Sequence, residues 1–413
     1  MQKKLLGMAV ATALAAPAAV FAQSAVQVYG TAHVSFNASK YSDSAAGVSG
    51  VSKMAVNSHA TNFGIRSSET LGGGMTGWVQ YEFNVKTERD NDVTGGNGSS
   101  RNTAIGLRGS FGNVFFGTWE TPFAQTFRMW DVGTIGGYGA STSVMYRRES
   151  TGSAPSSNCG NVVFGAAATS PTTICGHADG GPAGGYALWR RYGSAVHYES
   201  PMFSGFQFKI GYQPNETKSI AGSGATATTG GASGTAIIAE NPSSWSASLG
   251  WTGMGGKARA FFANMQAKDW TQVGQSDGGY IFGGGYDFGV VNLGAAIETY
   301  KYKVVGGDTK TREMSVAAAI PLGSGKIGIS YAVAKDPDTA AGTVDAGAKM
   351  YNVGYEWALS KRTAVGFGYA AIKNDPGAVF TWTGSAPQQT GVSSTPLAGS
   401  DPSNIFVAFR HSF

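Results

Sequence analysis

The chain ends with an alternating stretch that decides the fold, Asn404-Ile405-Phe406-Val407-Ala408-Phe409-Arg410-His411-Ser412-Phe413. Every second residue from Ile405 to Phe413 would lie on one face of a β-strand, and most of these residues are apolar. Chain termini usually fray into water. Because this terminus is aromatic and belongs to a strand pattern, we expect Phe413 to complete a strand that pairs with another strand.

The same alternation recurs from Val26 onward in segments of about ten residues. Clear examples are Gly205–Gln213, Ser244–Trp251, Lys326–Lys335, Met350–Trp357 and Arg362–Ala371. One face of each segment is apolar, and the other carries small or polar residues, which suits a wet interior better than a packed core. Ordinary cross-strand aromatic pairing in a soluble β-protein is the alternative interpretation.

The connections between these segments have two lengths. Short turns such as Leu71–Gly74 and Gly323–Gly325 alternate with long polar loops such as Asn37–Asn57, Thr121–Leu188 and Lys303–Lys310. Pairing the turns with their flanking segments predicts sixteen strands, with both termini on the short-turn side. We therefore predict an all-β protein, a 16-stranded antiparallel transmembrane β-barrel. Its third and longest loop, residues 121–188, is long enough to suggest a functional role.

The N-terminus predicts export from the cytoplasm. Lys3 and Lys4 precede an apolar stretch that ends in small residues at Ala22, which predicts a signal peptide over residues 1–22 and a barrel over residues 23–413. An uncleaved membrane anchor is the alternative, although the apolar stretch is short for a spanning helix.

The charge balance argues against a nucleic-acid partner. Without Lys3 and Lys4 the chain has 28 basic and 25 acidic residues, which is too balanced to indicate a nucleic-acid partner. Charged residues make up only 13% of the chain, about half the usual share.

Cys159 and Cys175 are the two cysteines, and they lie in one Gly/Ser/Thr-rich stretch of the third loop. In an oxidising compartment such a pair predicts a disulfide, with a metal site as the alternative. We predict no resident metal or cofactor. An Asp90-Asn91-Asp92 run could bind a divalent cation, but a solvated loop tip is the favoured explanation.

Enzyme signatures are weak. Gly323-Ser324-Gly325-Lys326 resembles part of a phosphate-binding loop, but Ile320 stands where that motif needs its first glycine. No Ser/His/acid set has supporting context, so we predict that the protein is not an enzyme.

Several stretches together resemble a known family. They are Ser24–Gly30, Phe63–Gly74, Arg101–Gly112, Tyr198–Phe206 and the closing Arg410–Phe413. The chain resembles a Gram-negative general porin of the β-proteobacterial branch. The resemblance implies a homotrimer of sixteen-stranded barrels in the outer membrane, each with its third loop folded into the lumen. It implies a water-filled channel for passive diffusion of small hydrophilic solutes and ions, with membrane lipid and lipopolysaccharide as partners. A substrate-specific channel, or a barrel hydrolase or adhesin, are the alternatives.

Strand parity selects residues that would line the lumen, because a charge on the lipid face is costly. Arg66 and Asn62 share the polar face of one strand, and Lys86, Arg108 and Arg191 lie on the polar faces of three others. Strict alternation places Arg101 on the apolar face, whereas the resemblance makes it a lumen arginine, and both possibilities stay open.

These residues suggest a transverse field across the pore. A basic wall of Arg66, Lys86, Arg101 and Arg108 would face Glu120 and Asp131 on the side of the third loop. Asn62 and Thr118 stand where the family often has arginines. We therefore expect only a weak preference for anions.

Overall fold

The computed structural model describes residues 26–47, 49–85, 101–137, 144–145, 191–214, 243–268, 276–304, 307–340, 342–343, 345–378, 380–382 and 398–413. Lys86, Cys159, Cys175, the Asp90-Asn91-Asp92 run and the predicted signal peptide lie outside these ranges.

Nineteen strands form one closed antiparallel sheet. They are β1 (Gln27–Tyr41), β2 (Ser52–Ser58), β3 (Asn62–Gly72), β4 (Met75–Asn84), β5 (Thr103–Gly109), β6 (Gly112–Glu120), β7 (Arg191–Glu199), β8 (Phe206–Gln213), β9 (Ser243–Gly253), β10 (Ala258–Lys268), β11 (Ser276–Asp287), β12 (Asn292–Val304), β13 (Gly307–Leu322), β14 (Gly325–Ala334), β15 (Asp338–Thr339), β16 (Gly342–Thr343), β17 (Ala348–Ala358), β18 (Thr363–Asn374) and β19 (Pro402–Ser412).

The sheet is a 16-stranded barrel, as predicted. β2 and β3 both pair with β1 and together make the second barrel strand, while β15 and β16 form a small hairpin beside β13. Pairing of β1 with β19 closes the barrel.

The apolar face of the strands points outward. Ile405, Val407 and Phe409 on β19 are each more than half exposed, whereas Phe406 and Ala408 between them are buried inside. The same alternation holds around the barrel, as expected where alternate residues face lipid. Among the described residues, no helix is both long and apolar enough to cross a membrane.

Two predicted long loops are shorter in the structure. Most of Asn37–Asn57 continues as β1 and β2, and Lys303–Lys310 is nearly bridged by β12 and β13. Beyond the membrane a strand needs no apolar face, and charged residues such as Lys40 of β1 and Lys303 of β12 lie on the outward face there. The hydrophobic alternation by which strands are recognised is therefore weaker in these extensions.

Part of the interior is packed rather than wet, and the expectation of a wet lumen was wrong there. The third loop places Phe123, Trp130 and Ile135 against the inner face of the wall, where they are fully buried. Small wall residues such as Ala263 and Ala370 make room for them. The inner face on this side, with its many small residues, therefore serves to dock a loop, and the alternation alone could not distinguish it from a face that lines water.

Candidate functional site

The third loop enters the barrel through two short helices, α1 (Pro122–Gln125) and α2 (Phe127–Trp130). The Thr121 hydroxyl caps α1 by accepting a hydrogen bond from the Ala124 N–H at 3.0 Å. Pro122 occupies the first turn, where its missing N–H costs nothing. The loop therefore turns inward immediately after β6.

Hydrogen bonds fasten residues 121–137 along the inner wall. The Phe123 N–H donates to Ser246 Oγ at 3.0 Å, the Arg259 guanidinium donates to the Met129 carbonyl at 3.2 Å, and Asn352 Nδ2 donates to the Gly133 carbonyl at 3.0 Å. The segment thus passes from β9 to β17. The open lumen is left between it and the opposite wall, which β1 and β3–β7 form.

Close approach to the wall depends on a glycine. A Cβ on Gly294 of β12 would lie 1.9 Å from the Trp130 carbonyl oxygen, far inside contact distance. Glycine at this position lets the backbone of α2 rest directly on the sheet.

A first charge cluster lies on the opposite wall. Arg101 Nε donates to Glu82 Oε1 at 2.5 Å, and its NH1 donates to Asn84 Oδ1 at 3.1 Å. Tyr29 donates its hydroxyl to the second oxygen of Glu82 at 3.0 Å. Arg66 stacks over the Tyr29 ring at 5.2 Å and donates to Gln27 at 2.9 Å.

A second cluster lies at the root of the loop. The Glu120 carboxylate forms ion pairs with Arg128 and, at 3.3 Å, with Arg191. Asn102 Oδ1 accepts hydrogen bonds from the Glu120 N–H at 3.1 Å and from Arg191 Nε at 3.0 Å. Arg191 is buried and Arg128 is half exposed to the lumen.

A recess of about 390 Å³ lies on the pore side of α1 and α2. The Lys209 side chain lines this recess. Its ammonium group forms an ion pair with Glu199 at 3.1 Å and donates a hydrogen bond to Gln125 Oε1 at 2.6 Å. This ion pair places both signs of charge directly beside the constricting segment.

The structure places most of the predicted site residues on the lumen side. Their charges, however, do not form the predicted basic wall that faces acidic residues across the pore. Arg66, Arg101 and Arg191 lie in the clusters above, and Arg108 lies nearer the short turn after β5, opposite Asn113. Asn62 donates to the Ala60 carbonyl, and the Asp131 carboxylate, on the loop, accepts from Thr134 at 3.0 Å. Lys86 lies outside the described residues.

Glu120 does not face a basic wall across the pore. It ends β6 and contacts arginines directly, because a register shift between Gly117 and Trp119 redirects the end of that strand. Arg101 precedes β5, and its N–H bonds the Glu82 carbonyl outside the regular ladder. This irregularity lets both Arg101 and Asn102 point inward, so strict alternation misplaced Arg101.

Comparison with known proteins places this geometry in a family. A family model described as Gram-negative porin matches residues 8–377. The chain belongs to the Gram-negative porin family. It is therefore an outer-membrane porin, a channel for passive diffusion, and this is a family of channels rather than of enzymes.

Individual relatives share the whole length of this porin. It is 27% identical over 419 residues to the outer membrane porin protein 32 of Delftia acidovorans, covering all of both chains. The anion-selective porin from Comamonas acidovorans is 24% identical, with a TM-score of 0.64 over 95% of this chain and 100% of that one. The trimer form of OmpT from Vibrio cholerae is 13% identical, with a TM-score of 0.59 over 94% and 99%.

Sequence reasoning missed Asn102 in this porin. The Asn102 side chain accepts hydrogen bonds from Glu120 at the root of the loop and from Arg191 on the wall. It precedes β5, where no alternation exists to assign a face, so no signal in the sequence marked it.

One cluster in the described part of this porin has the ligand types that a hard cation prefers. The carboxylates of Asp336, Asp345 and Asp375 lie within 4.8 Å of one another in the loops beyond β14 and β18. Burial, followed by the two neighbouring carboxylates, raises the pKa of Asp375.

Proposed function

We propose that this porin has a weak preference for anions, set by the arginines around its narrow section. The two charge clusters, taken together with Arg108 and Asp131, contain five arginines and three carboxylates, which are Glu82, Glu120 and Asp131. Most of these charges cancel in ion pairs. Arg66 and Arg108 form no ion pair with any described residue, and they carry the excess that supports the proposal.

The preference is weak because neutral residues stand at two wall positions. Asn62 and Thr118 occupy strands that flank the arginine clusters and add no charge. The Comamonas relative is described as anion-selective, which supports the sign of the preference in this chain.

Reversal potential in a salt gradient tests the proposal. Replacing Arg66 and Arg108 with Gln should move the zero-current potential toward cation preference while the pore stays open, because each change removes one uncompensated positive charge. The shift should shrink at molar salt, where the Debye length is about 3 Å.

The matched control is the double change Lys40→Gln and Lys268→Gln, which removes the same charge from the outward face. It should leave the zero-current potential unchanged. If the Arg66→Gln/Arg108→Gln protein also keeps the wild-type potential at low salt, these arginines do not line the narrow section.

We also propose that the porin is a homotrimer that contacts outer-membrane lipid and lipopolysaccharide, and that residues 1–22 are a cleaved signal peptide. The Vibrio relative with the same barrel is described in a trimer form. Conductance steps of purified protein in planar bilayers, grouped in threes, are expected for a trimer. Single uniform steps, together with a monomer mass in detergent, would contradict it.

A further inference from the structure

The recess of about 390 Å³ beside α1 and α2 extends toward the short-turn end of the barrel. Its outer wall is the inner face of β9, on which α1 is held through the hydrogen bond from the Phe123 N–H to Ser246 Oγ. The next inward residues toward the short turn are Ser248, Gly250 and Thr252, and all three line the recess. Because these side chains are short, they leave open a volume in the range of small-molecule binding sites.

An aromatic surface forms one side of the recess. Trp119 lines it and makes edge-on contacts with two further rings, Phe115 at 5.1 Å and Trp78 at 5.8 Å between ring centroids. Trp78 is itself fixed, because its indole N–H donates to Asn113 Oδ1 at 2.8 Å. Trp119 is only partly buried, although its neighbours hold it in place. It therefore offers a preorganised apolar surface to a solute in the lumen.

The charged residues that line the recess compensate one another. Lys209 forms an ion pair with Glu199 at 3.1 Å, and Arg128 forms one with Glu120. Gln125 lies between the two pairs, since its Oε1 accepts from Lys209 at 2.6 Å and its Nε2 donates to the Glu120 carbonyl at 2.9 Å. The four charges sum to zero, so a charged solute would have to displace one partner of a pair. A hydroxyl group needs no such exchange, because it can accept from the cation and donate to the carboxylate of the same pair.

We propose that this recess is a binding site for a neutral hydroxylated ring, the chemistry of a pyranose sugar. The faces of such a ring carry C–H groups that pack on an indole, and its rim carries hydroxyls that donate and accept. Trp119 receives the ring face, and the two ion pairs with Gln125 receive the hydroxyls. The site retains a solute on the short-turn side of the narrow section. It is independent of the anion preference, which arises from Arg66 and Arg108.

Blocking of the ion current through full-length porin in planar bilayers tests the site. A bound ring lies on the pore side of α1 and α2, so it narrows the path and lowers the current. Methyl β-D-glucopyranoside should reduce the conductance of the wild type saturably. Sorbitol, an open-chain polyol without a ring face, should reduce it only in proportion to the viscosity of the solution.

Two changes on different walls of the recess should weaken this block. Trp119→Ala should raise the half-blocking concentration of the glucopyranoside about tenfold, because the ring loses the surface on which it stacks, whereas Trp119→Phe should raise it less than about threefold. A Cβ at Gly250 would have Met129 Sδ as its nearest neighbour, at 3.5 Å, so a side chain fits there. Gly250→Leu should therefore fill the recess and abolish the saturable block while Trp119 stays intact.

Trp357→Ala is the matched control, because Trp357 is half exposed on the outer face of the barrel. It should be blocked like the wild type. An unchanged half-blocking concentration in Trp119→Ala or in Gly250→Leu overturns the proposal, since the block would then arise elsewhere in the lumen.

Two further outcomes with the wild type also overturn it. Equally strong saturable block by sorbitol would show that hydroxyls bind without a ring face. Stronger block by the amino acid tryptophan would assign the recess to amphipathic zwitterions instead of sugars. The zero-current potential reports the anion preference separately, so either proposal can fail while the other stands.

Discussion

At the scale of single residues, the Glu120 carboxylate connects the third loop to the barrel wall through two arginines. These two arginines differ greatly in exposure. The Arg191 side chain is 2% exposed, whereas the Arg128 side chain is 51% exposed. An ion pair in water contributes little, whereas removing one partner of a buried pair leaves a charge with too few contacts. The two arginines should therefore differ in their effect on stability.

Arg191→Gln should lower the free energy of unfolding by about 2 kcal/mol, because Glu120 and Asn102 lose a buried donor. Arg128→Gln removes the same charge from the same carboxylate and should cost less than about 1 kcal/mol. Urea unfolding followed by tryptophan fluorescence measures both. Equal losses for the two variants would mean that Arg191 is not anchored as the structure places it.

At the scale of elements, the constriction depends on the fit between α2 and the sheet. Gly294 lies inside, beneath the Trp130 backbone, while its neighbour Ala295 is exposed on the outer face. Adding volume at these two adjacent positions should therefore have opposite consequences for the pore.

Gly294→Val should push α2 away from the wall into the free lumen, because its Cβ would overlap the Trp130 carbonyl oxygen. We expect a lower single-channel conductance and a loss of about 1–3 kcal/mol in the free energy of unfolding. Ala295→Val adds volume on the lipid side and should change neither. Wild-type conductance of the Gly294→Val channel would show that α2 does not rest on β12.

The third loop carries a further prediction in residues that the structure does not describe. Cys159 and Cys175 should form a disulfide, since they are a lone pair in one loop of a protein of an oxidising compartment. Mass spectrometry of a non-reduced digest should show the linked peptide. Two alkylatable thiols in protein purified from oxidising growth would contradict the pairing.

At the scale of the whole molecule, barrel closure depends on the seam between β1 and β19. The backbones of Gly30 and Phe413 exchange two hydrogen bonds, at 3.2 and 3.1 Å. The Phe413 ring lies against Gly30, since a Cβ there would be 2.5 Å from the ring. The terminal aromatic thus covers the last pair of the seam on the outward face.

Phe413→Ser should lower the yield of folded porin in the outer membrane several-fold, because the last step of closure loses its aromatic contact. Phe288→Ser is the control, since Phe288 is an equally exposed aromatic residue at a short turn away from the seam. Heat-modifiable migration in gel electrophoresis measures the folded fraction. Equal yields for Phe413→Ser and wild type would show that the aromatic contact at the seam is not needed for folding.

The sequence by itself determined the barrel, its strand number and the outward face. Lipid demands an apolar side chain at every second position, so alternation in one segment reports its environment without knowledge of the rest. The same parity placed Arg66 on the lumen side. Parity could not show which part of the inner face contacts the third loop and which part contacts water. The small residues that pack against Trp130 and Ile135 would suit a water-lined wall equally well.

Only the tertiary structure decided which charges meet. Arg191 and Glu120 are 71 residues apart, and Asn102 reaches both from outside any strand. Their contacts depend on the register shift in β6 and on the path of the third loop, which are set by packing across the lumen. Long-range pairing of this kind leaves no local period in the sequence, because each residue's position depends on strands that are distant along the chain.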